Sequence, residues 1–80
     1  MSIEEIKSET AGSVWKLLVA VDDVVKSGDV IMLVELMKME IPIVSPTNGR
    51  IVEIVVAETM SLSSNQLVAT IAVDEGSAQQ

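Results

Sequence analysis

The residues best suited to do chemistry in this chain are Lys38 and its neighbours, in the run Glu35-Leu36-Met37-Lys38-Met39-Glu40. The chain has no Cys and no His, which removes a thiol nucleophile, an imidazole ligand and a base that titrates near neutrality. Its carboxylates are scattered and belong to no pocket-forming motif, so a hydrolytic enzyme is a distant reading. A primary amine at a protruding turn, by contrast, can be acylated to a long flexible arm, whereas a lysine on a flat sheet would sweep less space. An alkylammonium keeps its proton at neutral pH, so the enzyme that acylates it must take that proton away.

The elements that must position this amine come in two similar copies. Residues 6–34 lie on residues 43–71 without a gap at an offset of 37. The superposition gives identities at Ile6/Ile43, Ser8/Ser45, Thr10/Thr47, Gly12/Gly49, Val19/Val56, Ala20/Ala57 and Ser27/Ser64. Apolar positions follow the same offset, as at Val14/Ile51, Leu17/Ile54, Val30/Leu67 and Val34/Ile71. An ungapped match of this length implies two copies of one supersecondary unit. Lys38 lies in the short connector between them.

Eighty residues make one domain, expected to span residues 1–73, with residues 74–80 a frayed tail that has nothing to bury. Aliphatic side chains are plentiful and the only aromatic is Trp15. The core must therefore be Val, Ile, Leu and Met, which suits β-structure. A net charge of −7 repels phosphate backbones and anionic bilayers, so neither nucleic acid nor membrane is an expected partner. The N-terminal residues lack the basic and apolar regions of a signal peptide, and no apolar run approaches the ~20 residues that span a bilayer. A cytoplasmic location, and a monomer when isolated, are the expectations.

Residues 3–8 are too short and too charged for more than an edge strand. Residues 14–21 read as a strand, and the apolar spacing of Val14 and Leu17 breaks strict alternation, which predicts a bulge or bend. The same break recurs at Ile51 and Ile54. Residues 24–26, 30–36, 41–45, 50–56, 62 and 67–73 supply further extended pieces, with turns at Asp22-Asp23, at Ser27-Gly28-Asp29 and around Pro46 and Gly49. Pro42 cannot donate to a ladder, so its strand belongs at an edge or turns its nitrogen away from the neighbour. Nothing of useful length has a helical period. Two four-stranded units that cannot close their own apolar faces should pack as a flattened sandwich or barrel with an approximate twofold axis, Lys38 at a hairpin tip.

Met37-Lys38-Met39, with Glu35 before it, the Gly28-Asp29 turn upstream, Ser45-Pro46 and Gly49 downstream, and the internal duplication, resembles the attachment site of the biotinyl/lipoyl carrier domain family. The resemblance covers residues 6–71 and is closest to the short free-standing biotin/lipoyl attachment proteins. It implies an all-β barrel-sandwich hybrid: two antiparallel four-stranded sheets, pseudo-twofold, with biotin amide-linked to Lys38 by a biotin protein ligase. It implies a non-catalytic carrier that shuttles carboxyl groups as carboxybiotin between a biotin carboxylase and a carboxyltransferase, as in acetyl-CoA carboxylase. In that reading Met37, Met39, Glu35, Glu40 and Leu36 are read by the ligase or a partner, and Gly12, Gly28, Pro46 and Gly49 are structural turns.

The chain departs from the family pattern where Leu36 replaces the usual Ala, and where Asp22, Thr59 and Asn65 stand near usual glycines. Asp and Asn tolerate left-handed turn geometry; Thr59 is β-branched and predicts a strained or rearranged backbone. Lipoate is the alternative cofactor, for a 2-oxo-acid dehydrogenase system, but that signature more often has Asp before and Ala after the lysine. A second alternative is an unmodified hammerhead that serves as an interaction domain. Each residue also has an ordinary reading: an exposed hairpin lysine usually only solubilises, methionines usually fill cores, and glutamates usually form a solvated face. Adjacent hairpin positions cannot both face one core, so at least one of Met37 and Met39 should be exposed.

Overall fold

The computed structural model describes residues 2–74 and contains eight strands among them: β1 (Ile3–Lys7), β2 (Gly12–Leu17), β3 (Val24–Val25), β4 (Val30–Leu36), β5 (Met39–Val44), β6 (Gly49–Ile54), β7 (Ser61–Leu62) and β8 (Leu67–Val73). They form two antiparallel four-stranded sheets, ordered β1-β8-β6-β3 and β5-β4-β2-β7. This is the all-β barrel-sandwich hybrid, and β5 with its Pro42 is an edge strand.

The two sequence repeats are not the two sheets. The first half supplies the central pair β2 and β4 of one sheet and the edges β1 and β3 of the other; the second half supplies the central pair β6 and β8 and the edges β5 and β7. Each half is therefore incomplete without its partner. The interlock is clipped by equivalent turns. Asp22 N–H donates to Ile51 O and Ile51 N–H to Asp23 O, while Thr59 N–H donates to Val14 O and Val14 N–H to Met60 O. Buried Ser8 and Ser45, also equivalent, donate their hydroxyls to Thr10 O and Thr47 O, which satisfies a group that is costly to bury unpaired.

Bulges bend the sheets toward each other. Trp15 is the extra residue between the Val14–Val34 and Lys16–Leu33 pairs, and Val52 is its counterpart between Ile51–Ile71 and Glu53–Thr70. Ile31 and Val68 form a second equivalent pair of extra residues, and both are fully buried. An extra residue in one strand bends it and increases its twist, which curls a flat pair of sheets into a partial barrel. The interior that results is aliphatic: Ile6, Val14, Val25, Ile31, Met32 and Val34 from one half meet Ile43, Ile51, Val56, Leu62, Val68, Ala69 and Ile71 from the other.

Several boundaries differ from the sequence expectation. β2 ends at Leu17 rather than at residue 21: Leu18 N–H still reaches Ile31 O of β4, but beyond it Ala20 N–H is taken by the Asp23 carboxylate and Asp22 N–H by Ile51 O of the other sheet. β6 likewise stops at Ile54, and β5 starts two residues earlier than expected, at Met39. Gly12 and Gly49 open strands instead of forming turns, and what they provide is room. A Cβ on Gly12 would lie 2.6 Å from Glu35 O, and one on Gly49 would collide with Ala72 O. Gly28 is a turn glycine in the left-handed region, at φ 93, and Pro46 sits in an exposed bend. Of the expected tail, Asp74 N–H donates to Asn48 O; residues 75–80 lie outside the described residues.

Candidate functional site

Lys38 sits at the tip of the β4–β5 hairpin. The ladder runs Leu33 opposite Pro42, Val34 opposite Ile41, Glu35 opposite Glu40 and Leu36 opposite Met39, which leaves Met37 and Lys38 as a two-residue turn. Both are left-handed, with φ 54 and φ 65. Two consecutive positive φ values are the pattern of the type I′ turn, whose twist suits a tight hairpin and which ordinarily selects Asn-Gly. Met-Lys is a poor turn sequence by that standard, with a cost on the order of 1 kcal/mol per left-handed residue. Strain of this kind persists where the surrounding structure over-determines the backbone, and it marks candidate functional positions.

The supports of the hairpin are visible beneath it. Val34 is fully buried, and β2 comes close against the Glu35 backbone and the Val34 side chain because Gly12 has no side chain. Sequence reading placed Gly12 in a turn and missed this link to the lysine. The signal was present in its recurrence at Gly49, the other position where two strands approach too closely for a Cβ. Leu36 is half-buried at the foot of the turn. At least one of Met37 and Met39 is expected to be exposed, and at 85% and 65% exposure both face solvent. Lys38 is exposed and makes no ion pair among the described residues.

Glu35 and Glu40, both exposed, form the only directly opposed like-charged pair of this hairpin, in a row that continues through half-buried Ser13 to exposed Ser61. The equivalent row on the other sheet is Ile3, Ala72, Arg50 and Val24. The fold itself thus accepts apolar side chains or a cation at these positions. Opposed carboxylates cost a few tenths of a kcal/mol in such a pair, so the acidic row beside Lys38 is not explained by folding.

A site that holds a cofactor by a covalent arm needs a reachable amine with clearance around it, and this hairpin offers that. Neither of two clefts among the described residues is lined by Met37 or Lys38: one of about 530 Å³ is lined by Val24, Gly49, Arg50, Ala72, Val73 and Asp74, and one of about 130 Å³ by Lys7, Glu9 and Thr10 with Ile41, Pro42, Ile43 and Val44 of β5.

Known proteins share this fold. Over 68 residues the chain is 34% identical to urea amidolyase of Saccharomyces cerevisiae, covering 85% of this chain and 4% of that protein. Over 68 residues it is 32% identical to the biotinylated protein TB7.3 homolog of Mycobacterium leprae, covering 85% and 96% respectively. The Bacillus subtilis biotin/lipoyl attachment protein is 37% identical over 49 residues, 61% of this chain and 67% of that one. Among solved structures, Kluyveromyces lactis urea carboxylase superposes with a TM-score of 0.84 at 30% identity, over 90% of this chain and 6% of that one. A single-chain, multi-domain long-chain acyl-CoA carboxylase shares the fold with a TM-score of 0.85 at 16% identity, over 91% and 7%. Since the family model described as "Biotin-requiring enzyme" matches residues 4–71, this chain belongs to the biotin/lipoyl domain family.

Proposed function

We propose that this chain is a biotin carboxyl carrier, not itself a catalyst, whose Lys38 is biotinylated by a biotin protein ligase and presented in turn to a biotin carboxylase and a carboxyltransferase. The observation that carries the reading is the strained, fully projecting turn at Met37-Lys38, set at the one connector between the two repeats. The family and the biotinylated mycobacterial relative support the choice of cofactor. Biotin, once attached, supplies the carboxyl-carrying ureido ring. The chain's own residues supply placement.

In this reading the Glu35 backbone, held close against Gly12, fixes the direction in which the amine leaves the sheet. The tight turn keeps Lys38 clear of the body, so that an enclosing active site can take the amine without displacing a loop. Glu35 and Glu40 put two carboxylates beside the site and so favour a partner with cations around its entrance, where complementary charge speeds encounter and fixes register. Met37 and Met39 offer adaptable apolar contact on either side of the amine.

Expression with a biotin protein ligase, followed by intact mass and streptavidin blotting, tests the reading. One biotinyl group on the parent and none on Lys38→Arg is the expected result, with stability changed by less than ~0.5 kcal/mol since the position is exposed. A lipoyl group would make the chain a lipoyl carrier, and an unmodified Lys38 under biotin-replete conditions would make it an interaction domain. Label that persists at Lys7, Lys16 or Lys26 would mean non-specific acylation.

A further inference from the structure

We propose that Met37 and Met39 form a peroxide-sensitive modification site, and that their conversion to methionine sulfoxide changes how Lys38 is read by the enzyme that acylates it. The second half of the proposal rests on the carrier reading above; the first half does not.

The observation is how unevenly the described methionines are exposed. Met32 is buried in the core at 1%, Met60 is 40% exposed, and Met39 and Met37 stand at 65% and 85%. The two most exposed thioethers flank one amine in a turn of fixed geometry. Thioether oxidation follows access, so the fold sorts these residues into a protected one and a vulnerable pair. Neither Met37 nor Met39 is in the hydrophobic core, so oxidising them leaves core packing intact.

The chemistry needs a hydroperoxide and nothing else. A lone pair of the methionine Sδ attacks the distal oxygen; the S–O bond forms and the O–O bond breaks. The thioether gives up two electrons, the peroxide accepts them, and water or an alcohol leaves with the proton. Each product is polar and chiral where the thioether was apolar and flexible. The charges of Lys38, Glu35 and Glu40 are untouched, so the change is confined to the apolar contacts on either side of the amine. Because sulfoxides are reduced enzymatically, the site is reversible.

The test is a dilute hydrogen peroxide time course on the intact chain, followed by peptide-level mass spectrometry, with ligase labelling of Lys38 measured in parallel. Met37 and Met39 should oxidise roughly tenfold or more faster than Met32, with Met60 between. Circular dichroism should show an unchanged fold when both are converted. Labelling of Lys38 should slow by about fivefold or more, and methionine sulfoxide reductases A and B together, one for each sulfoxide epimer, should restore both the mass and the rate. Oxidation of Met32 in step with Met37, undiminished labelling of the fully converted protein, or a rate that fails to return after repair would each overturn the proposal. If the ligase does not label the untreated chain, the carrier reading fails and takes the effect on Lys38 with it. The order of oxidation is read independently and stands or falls by itself.

Discussion

Thr59 carries a β-branched side chain at φ 74, in a turn equivalent to the one where Asp22 sits at φ 78. Only the second of these suits the conformation, because a short polar side chain tolerates the left-handed region and a branched one crowds it. That Asp22, Thr59 and Asn65 all have positive φ fits the family pattern of glycines near these positions. What residue types alone left open was whether the turn at Thr59 had rearranged to avoid the strain. It has not, because the Thr59 N–H is committed to Val14 O and Val14 N–H to Met60 O, which locks this backbone onto β2. Thr59→Gly keeps both bonds and removes the crowding. The relief of about 1–2 kcal/mol should exceed the ~0.4–1 kcal/mol lost to the freer unfolded chain. Thermal unfolding should then occur a few degrees higher, since ~1 kcal/mol corresponds to about 4–8 °C in a domain of this size. A lower melting temperature would mean that the threonine side chain contributes something its exposed position does not reveal.

At the scale of one element, the β4–β5 hairpin decides where the Lys38 amine stands. Its register was legible because only two residues separate the runs that must pair, and a two-residue loop puts Leu36 against Met39 and Glu35 against Glu40. The bulge at Trp15 was legible too, from apolar residues three apart where two apart was expected. The end of β2 was not. Leu18 and Val21 are apolar and read as strand, yet both are about half exposed, and the ladder stops because their segment crosses between sheets. Composition cannot tell an apolar crossing from an apolar strand. The hairpin register carries its own prediction, because residues leaving a turn point to alternate faces. Lys38→Met combined with Met39→Lys should fold normally, as both positions are exposed. Yet the displaced amine would leave from the first residue of β5, directly opposite Leu36, instead of from the tip. Its rate of biotinylation should fall by about 100-fold, the scale of loss when a reacting group is misplaced by ~1 Å. Labelling of the shifted lysine within a few-fold of the parent would mean that the tip flexes enough to erase register.

For the whole molecule, the duplication was readable in the sequence and its consequence was not. Matching Ser8 with Ser45 and Gly12 with Gly49 shows that two copies exist, and the same residues turn out to make equivalent hydroxyl bonds and equivalent close approaches. Nothing in a repeat, however, says whether each copy makes its own sheet. Here each copy gives the centre of one sheet and the edges of the other, so the sheets close only when both are present. Separation of the copies between Met37 and Lys38 leaves every strand whole, since β4 ends at Leu36 and β5 begins at Met39. Each fragment then retains one central two-stranded pair without flanking strands, with one apolar face open to water. A two-stranded pair is marginal in water, and chains of about 40 residues rarely fold without a staple. Fragments 1–37 and 38–80 should therefore each lack a cooperative thermal transition. Mixed in equal amounts they should regain a sheet spectrum, with a melting temperature that rises with concentration as a bimolecular fold requires. A cooperative transition in either fragment alone would show that one copy can close its own core, and a mixture that stays unstructured would show that the covalent connector through Lys38 contributes more than proximity.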